Sequence, residues 1–225
     1  MKKSISIAIG LLATVSLSAQ ATLVSIENCS GTAKNGPAVT CEITNSPANV
    51  ISPNPNNNKL VAWDEVQNHV LVEDLKVDRV FDPTASFIED AGNSGYFIKA
   101  GTIVSSHYVQ WDPNGRGQIN ASIVLDSQIF AFITSDQNLF DSDDQLALPN
   151  INYNDFNLRG IEKKDTTVFD GDSASINWTA SSPGDWARLI TAYSPAAEAQ
   201  VSEPVTIALF LSGLIGFVCR RKVTN

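Results

Sequence analysis

Histidine is almost absent from this 225-residue chain, at two residues, and cysteine is scarce, at three. His69 and His107 have no ligand spacing around them, so a zinc site would need partners from distant segments. Two cysteines with no histidine nearby make neither a zinc site nor a good nucleophile. A Gly-x-Ser-x-Gly elbow is missing; Gly92-Asn93-Ser94-Gly95 is one residue short and reads as a turn. No long stretch between the two ends shows helical periodicity, and no internal repeat is visible. Basic residues are few as well, at 15 against 24 acidic, for a net charge of −9. Residues 22–204 hold ten of the basic residues and all 24 acids, which leaves that part at −14. A surface of that sign repels nucleic acid and anionic lipid.

Both ends carry targeting signals. Lys2 and Lys3 precede an apolar run over 5–17 and an Ala19-Gln20-Ala21 site, the pattern of a secretory signal cleaved before Thr22. At the other end, residues 205–218 are uncharged and apolar, and Pro204 stands where a helix would begin. The run is shorter than the roughly 20 residues that span a bilayer comfortably, so its flanks decide the reading. Arg220, Arg221 and Lys222 follow it and place the C-terminus in the cytoplasm, with everything before Pro204 outside. The Glu203-Pro204 pair, the apolar helix and the basic cluster together resemble the PEP-CTERM tail of Gram-negative surface proteins. That resemblance implies recognition by exosortase and cleavage near Glu203-Pro204. Ser202 stands where the family usually has Pro, which leaves the cleavage position open. Export machinery and exosortase are the partners implied. The implied location is a transient inner-membrane anchor, then the cell surface or the medium.

Between the signals the sequence divides at its loops. Residues 22–58 form an N-terminal arm. Its Cys29 and Cys41 flank a polar stretch, and its end is rich in Pro and Asn. In an oxidising compartment the two cysteines are most simply a disulfide, worth about 3 kcal/mol on loop entropy. Cys219 lies in the tail, 201–225, and a tether over 194–200 joins that tail to the main domain, 59–193. Asn28, Asn120 and Asn177 head Asn-x-Ser/Thr triplets, but a bacterial sorting tail argues against glycosylation there.

The main domain reads as antiparallel β. Residues 117–125 alternate, with Ile119, Ala121, Ile123 and Leu125 on one face. Residues 102–111 precede them, and Asp112-Pro113-Asn114-Gly115 between the two predicts a hairpin turn. Residues 129–133 are apolar on both faces, as a strand between two layers would be. Further strands are expected over 60–63, 69–77, 173–178 and 186–193. Several short strands separated by turns indicate an all-β, antiparallel two-sheet sandwich, jelly-roll-like, flanked by the signal peptide and the sorting helix. The phrases Ala62-Trp63-Asp64-Glu65, Ala100-Gly101-Thr102, Ser105-Ser106-His107-Tyr108, Asp112-Pro113 and Ser181-Ser182-Pro183-Gly184-Asp185 resemble those of other exported PEP-CTERM proteins. That likeness supplies no catalytic residue.

Candidate chemistry is thin. Asp141, Asp143 and Asp144 are the densest acidic cluster and read as a turn that could hold calcium. The EF-hand pattern is rejected, because Leu146 stands where it needs Gly and Asn152 where it needs Glu. His107 alternates with Ser105 and Val109 and reads as a hydrogen-bonded core or edge histidine. Asp64 and Glu65 are carboxylates available for acid–base work, which depends on their separation in space. Trp63, Trp111, Trp178 and Trp186 could stack on sugars, though core packing claims most of them. The reading that follows is a non-catalytic surface or matrix protein with polysaccharide as its expected ligand. A secreted carboxylate-dependent glycoside hydrolase is the alternative.

Overall fold

A computed structural model describes residues 23–34, 38–45, 50, 59–113, 115–153, 160–161, 165–181 and 184–193. The chain runs through β1 (Leu23–Ala33), β2 (Thr40–Ile43), β3 (Lys59–Asp64), β4 (His69–Val70), β5 (Leu75–Val77), β6 (Arg79–Val80) and β7 (Ile88–Asp90). It continues with β8 (Tyr96–Ile98), β9 (Ile103–Trp111), β10 (Gly117–Leu125), β11 (Ile129–Ile133), helix α1 (Asp136–Leu146), β12 (Thr166–Asp170), β13 (Ser173–Ala180) and β14 (Asp185–Thr191). Among the described residues the fold is all-β around one α-helix. The signal peptide and the sorting helix lie outside the described residues.

Three sheets organise the strands. A four-stranded antiparallel sheet runs β1-β10-β13-β12, and a larger sheet runs β2-β3-β9-β14-β11-β6, with β4 on β9. Among the described residues only β2 and β3 pair in parallel. A small sheet, β5-β8-β7, stands apart from both. Alternation sets what each strand buries. Ile119, Ile123, Ile176 and Trp178 of the four-stranded sheet meet Leu60, Val109, Trp111 and Leu189 of the larger one in a first core. The opposite face of the larger sheet is also covered. Trp63, Tyr108, Trp186 and Ile190 pack there with Ile98, Leu139 and Leu146 in a second core. Covered on both sides, β14 is buried at every position, and β11 is buried at all but Phe130.

The expected strands over 60–63, 102–111, 117–125, 129–133, 173–178 and 186–193 all form. Three expectations are corrected. Residues 112–115 do not close a hairpin, because β9 and β10 lie in different sheets. Their inward residues, Trp111 and Ile119 among them, face each other across the first core instead of lying side by side. The strand expected over 69–77 splits into β4 and β5. The chain leaves the sheet between them, where Val72 is exposed and its N–H donates to Gln145 Oε1. Third, residues 136–146 are helical, so Asp141, Asp143 and Asp144 sit on a helix and not on a turn.

The helix has a physical reason that a hydrophobicity pattern misses. Its buried residues are Asn138, Leu139, Ser142 and Leu146, half of them polar. Ser135, at its N-cap, makes no side-chain cap bond. Asp78, from a distant turn, holds the segment that leads into the helix. Its carboxylate accepts the Thr134 and Ser135 N–H groups at 2.6 and 2.8 Å and the Asn138 side-chain amide at 2.7 Å. A carboxylate at that end also suits the helix dipole.

β1 and β2, from the segment expected as an arm, are edge strands of the two larger sheets. The disulfide Cys29–Cys41 joins them, with Cα atoms 5.9 Å apart, and so ties the sheets together at one edge. Gly31 on β1 is required by contact, since a Cβ there would stand 2.1 Å from Gln118 O. All described residues fall in one compact unit, Gln20–Ala199.

Candidate functional site

Adjacent strand residues point to opposite faces, and this decides the fate of Asp64 and Glu65. Asp64 turns toward the first core and Glu65 toward the second, so the two carboxylates cannot flank one bond. Glu65 accepts four hydrogen bonds: from Arg188 Nε at 2.6 Å, Arg188 Nη2 at 2.8 Å, Ser106 Oγ at 2.6 Å and Tyr153 Oη at 2.7 Å. Arg188 in turn uses all five of its N–H groups. Besides Glu65 it reaches Asp143 Oδ1 at 3.1 Å, Ser142 Oγ at 2.5 Å and Leu139 O at 3.3 Å. The Tyr108 ring lies over its guanidinium at 5.0 Å.

Electrostatics follow the geometry. Burial opposes the Arg188 charge, but the Glu65 carboxylate, its hydrogen bonds and Asp143 outweigh that and raise its pKa. Tyr153 is held protonated well above its ordinary value, first by burial and then by the Glu65 charge. Every buried polar side-chain atom of this group is hydrogen-bonded, as a network that fixes structure requires. Its work is to fasten α1 and Tyr153 to the sheet.

On the other face, His107 Nδ1 lies 2.6 Å from Asp64 Oδ1, and its Nε2 lies 3.0 Å from Thr191 Oγ1. The connectivity is that of an acid–base–hydroxyl relay. A nucleophile must be reached, however, and both His107 and Thr191 are fully buried. The expected hydrogen-bonded core histidine is what the structure shows. His69 lies on β4, half-buried and away from this group.

The other sequence candidates disperse. At 100° per residue, Asp141 and Asp144 share one side of α1 while Asp143 faces another. Asp143 pairs with Arg188, and Asp141 accepts a hydrogen bond from Gln137 Nε2 at 2.7 Å. This is not the single-turn chelate behind the calcium expectation. Among the described residues, no group of three or more His, Cys, Asp or Glu side chains gathers as metal ligands would. All four tryptophans are buried, so none offers a face to a sugar. Residues Glu203, Pro204, Arg220, Arg221 and Lys222 lie outside the described residues.

The outer face of the four-stranded sheet is open to a partner. Strand register sets its side chains in rows: Thr32, Gln118 and Thr179, then Ser30, Asn120, Asn177 and Thr166. A third row holds Glu27, Ser122, Ser175 and Val168. In these rows only Glu27 is charged. Some neighbours already bond along the rows, as Gln118 Nε2 does to Asn177 Oδ1 at 3.3 Å. The Asn-x-Ser/Thr triplets at Asn120 and Asn177 open onto this face as a consequence of its alternation. At its end lies a depression of about 370 Å³, lined by Thr32, Lys34, Arg116, Gln118 and Thr179 among others. Alternation in β10 and β13 marked which residues point outward; which strands stand side by side was not legible.

The chain matches no protein-family model, no curated protein and no solved structure.

Proposed function

We propose that the chain is an exported, exosortase-processed, non-catalytic surface or matrix protein that binds polysaccharide on the outer face of its four-stranded sheet. One observation carries the binding half: a field mostly of hydroxyl and amide side chains, with Glu27 the one charge in its three rows, on a chain of net charge −9. Rows of such groups match the closely spaced donors and acceptors of a sugar polymer, and a face with few charges sheds less hydration energy on contact than a charged one. The export half rests on the signal-like start, the Glu203-Pro204 tail with its basic cluster, and the disulfide. The sandwich is further read as jelly-roll-like. Four links that switch sheets, β9 to β10, β10 to β11, β11 to β12 and β13 to β14, support that reading.

The test is a glycan array probed with the purified exported protein. At least one polysaccharide should bind without being shortened. Asn177→Arg, which puts charge and bulk into the middle row, should weaken that binding at least about tenfold. Release of new reducing ends from any bound polymer would favour the hydrolase, and no binding across the array would end the proposal.

A further inference from the structure

At one end of this face stands a pair of cations. Ala33 faces Gly117 in the last rung between β1 and β10, and one step beyond it the Lys34 N–H donates to Arg116 O at 2.9 Å. Lys34 and Arg116 are thus cross-strand neighbours on the same side of the sheet as Thr32 and Gln118. Both are exposed, and neither is ion-paired with a described residue. Like charges placed opposite each other on a ladder repel. In a chain with 24 acids against 15 bases, two adjacent cations without an acidic partner are the reverse of what surface chance would place there.

We infer that this depression recognises the carboxylate of an acidic sugar in a polysaccharide lying along β10, an inference that rests on the polysaccharide reading above. Arg116 offers a planar fork that suits a carboxylate, and Lys34 adds a point charge beside it. Thr32, Gln118 and Thr179 line the same hollow and supply hydroxyl and amide partners for the rest of the ring. A volume of about 370 Å³ accommodates a monosaccharide unit. Charge supplies the selectivity. The acidic surface around the hollow repels a polyanion, and at Lys34 and Arg116 the sign reverses. The occupant is therefore an acidic glycan, and a neutral glycan gains nothing from the pair.

The experiment measures binding of the purified exported protein to polygalacturonate and alginate, with a neutral galactan and inorganic sulfate as comparisons. The uronate polymers should bind more tightly than galactan, and more weakly as salt rises. Lys34→Ala and Arg116→Ala should each weaken uronate binding about tenfold, about 1.4 kcal/mol. Arg116→Lys should lose less than Arg116→Ala. Both positions are exposed, so the variants should melt with the parent, and a melting curve checks that. Galactan binding as tightly as uronate, or uronate binding untouched in both alanine variants, overturns the carboxylate site and leaves the polysaccharide reading standing. Displacement of the polymer by sulfate at matched charge overturns the sugar assignment. No binding by any of the three polymers removes the site and counts against the reading beneath it.

Discussion

Arg188 and Glu65 stand 123 residues apart in sequence and meet with no exposed surface on either side chain. Nothing in the sequence pairs them, because in β14 Arg188 is a single cation among the apolar residues 186–190. Tyr153 completes the network, and its titration gives a measurable consequence. Its pKa is raised above the ordinary value of 10.0 by burial and by the Glu65 charge. In the unfolded chain tyrosine loses its proton near pH 10, while the folded chain keeps it. The unfolded state then binds fewer protons, so the stability from this group is complete below about pH 10 and falls as pH rises further. Urea unfolding should therefore show a falling stability above pH 10, with a shallower slope in Tyr153→Phe. At neutral pH that variant should cost about 1–3 kcal/mol, because Glu65 loses one of its four donors while buried. An unchanged alkaline slope would mean that Tyr153 ionises freely. The residues read correctly from sequence were those whose own neighbours carried the signal. His107 lies in an alternating strand, and Cys29 and Cys41 were the one pair available.

Elements were legible where one face is apolar and the other polar, as in β10 and β13. They were lost where burial is polar. α1 turns Asn138 and Ser142 inward because the sheet beneath presents Arg188 and the turn beside it presents Asp78. A hydrophobic period cannot reveal such a helix. The link between β9 and β10 failed for another reason: local turn chemistry is the same whether the next strand pairs beside the last or crosses to the opposite sheet. The disulfide bears on the same question of how the sheets are joined. Its sequence separation of 12 corresponds to about 3 kcal/mol of loop entropy. Since β1 and β2 are the edge strands it joins, Cys29→Ser with Cys41→Ser should lower stability by about that amount and loosen that edge first. Hydrogen exchange should then rise in β1 and β2 before it rises in β9 or β14. Equal exchange across all four strands would place the staple outside any role in holding the sheets together.

For the molecule as a whole, the compact unit Gln20–Ala199 ends within a few residues of both expected processing points. The start is fastened: the Leu23 N–H donates to Asp64 Oδ1 at 3.2 Å, and Leu23 pairs with Leu125. Cleavage before Thr22 leaves that contact whole, whereas trimming through β1 would remove a sheet edge and Cys29. At the other end, β14 closes at Thr191, and the Ala192 N–H donates to Gln128 O at 2.8 Å. Removing everything after Glu203 or Pro204 touches none of these interactions. The described contacts at both ends therefore survive removal of the two targeting segments. Protein recovered from outside the cell should begin at Thr22 and end near Glu203 or Pro204. It should also unfold in a single transition, since one unit holds both cores. Intact-mass analysis reads the two ends directly. A mass retaining Arg220, Arg221 and Lys222 on exported protein would refute tail cleavage and make the C-terminal segment a permanent anchor.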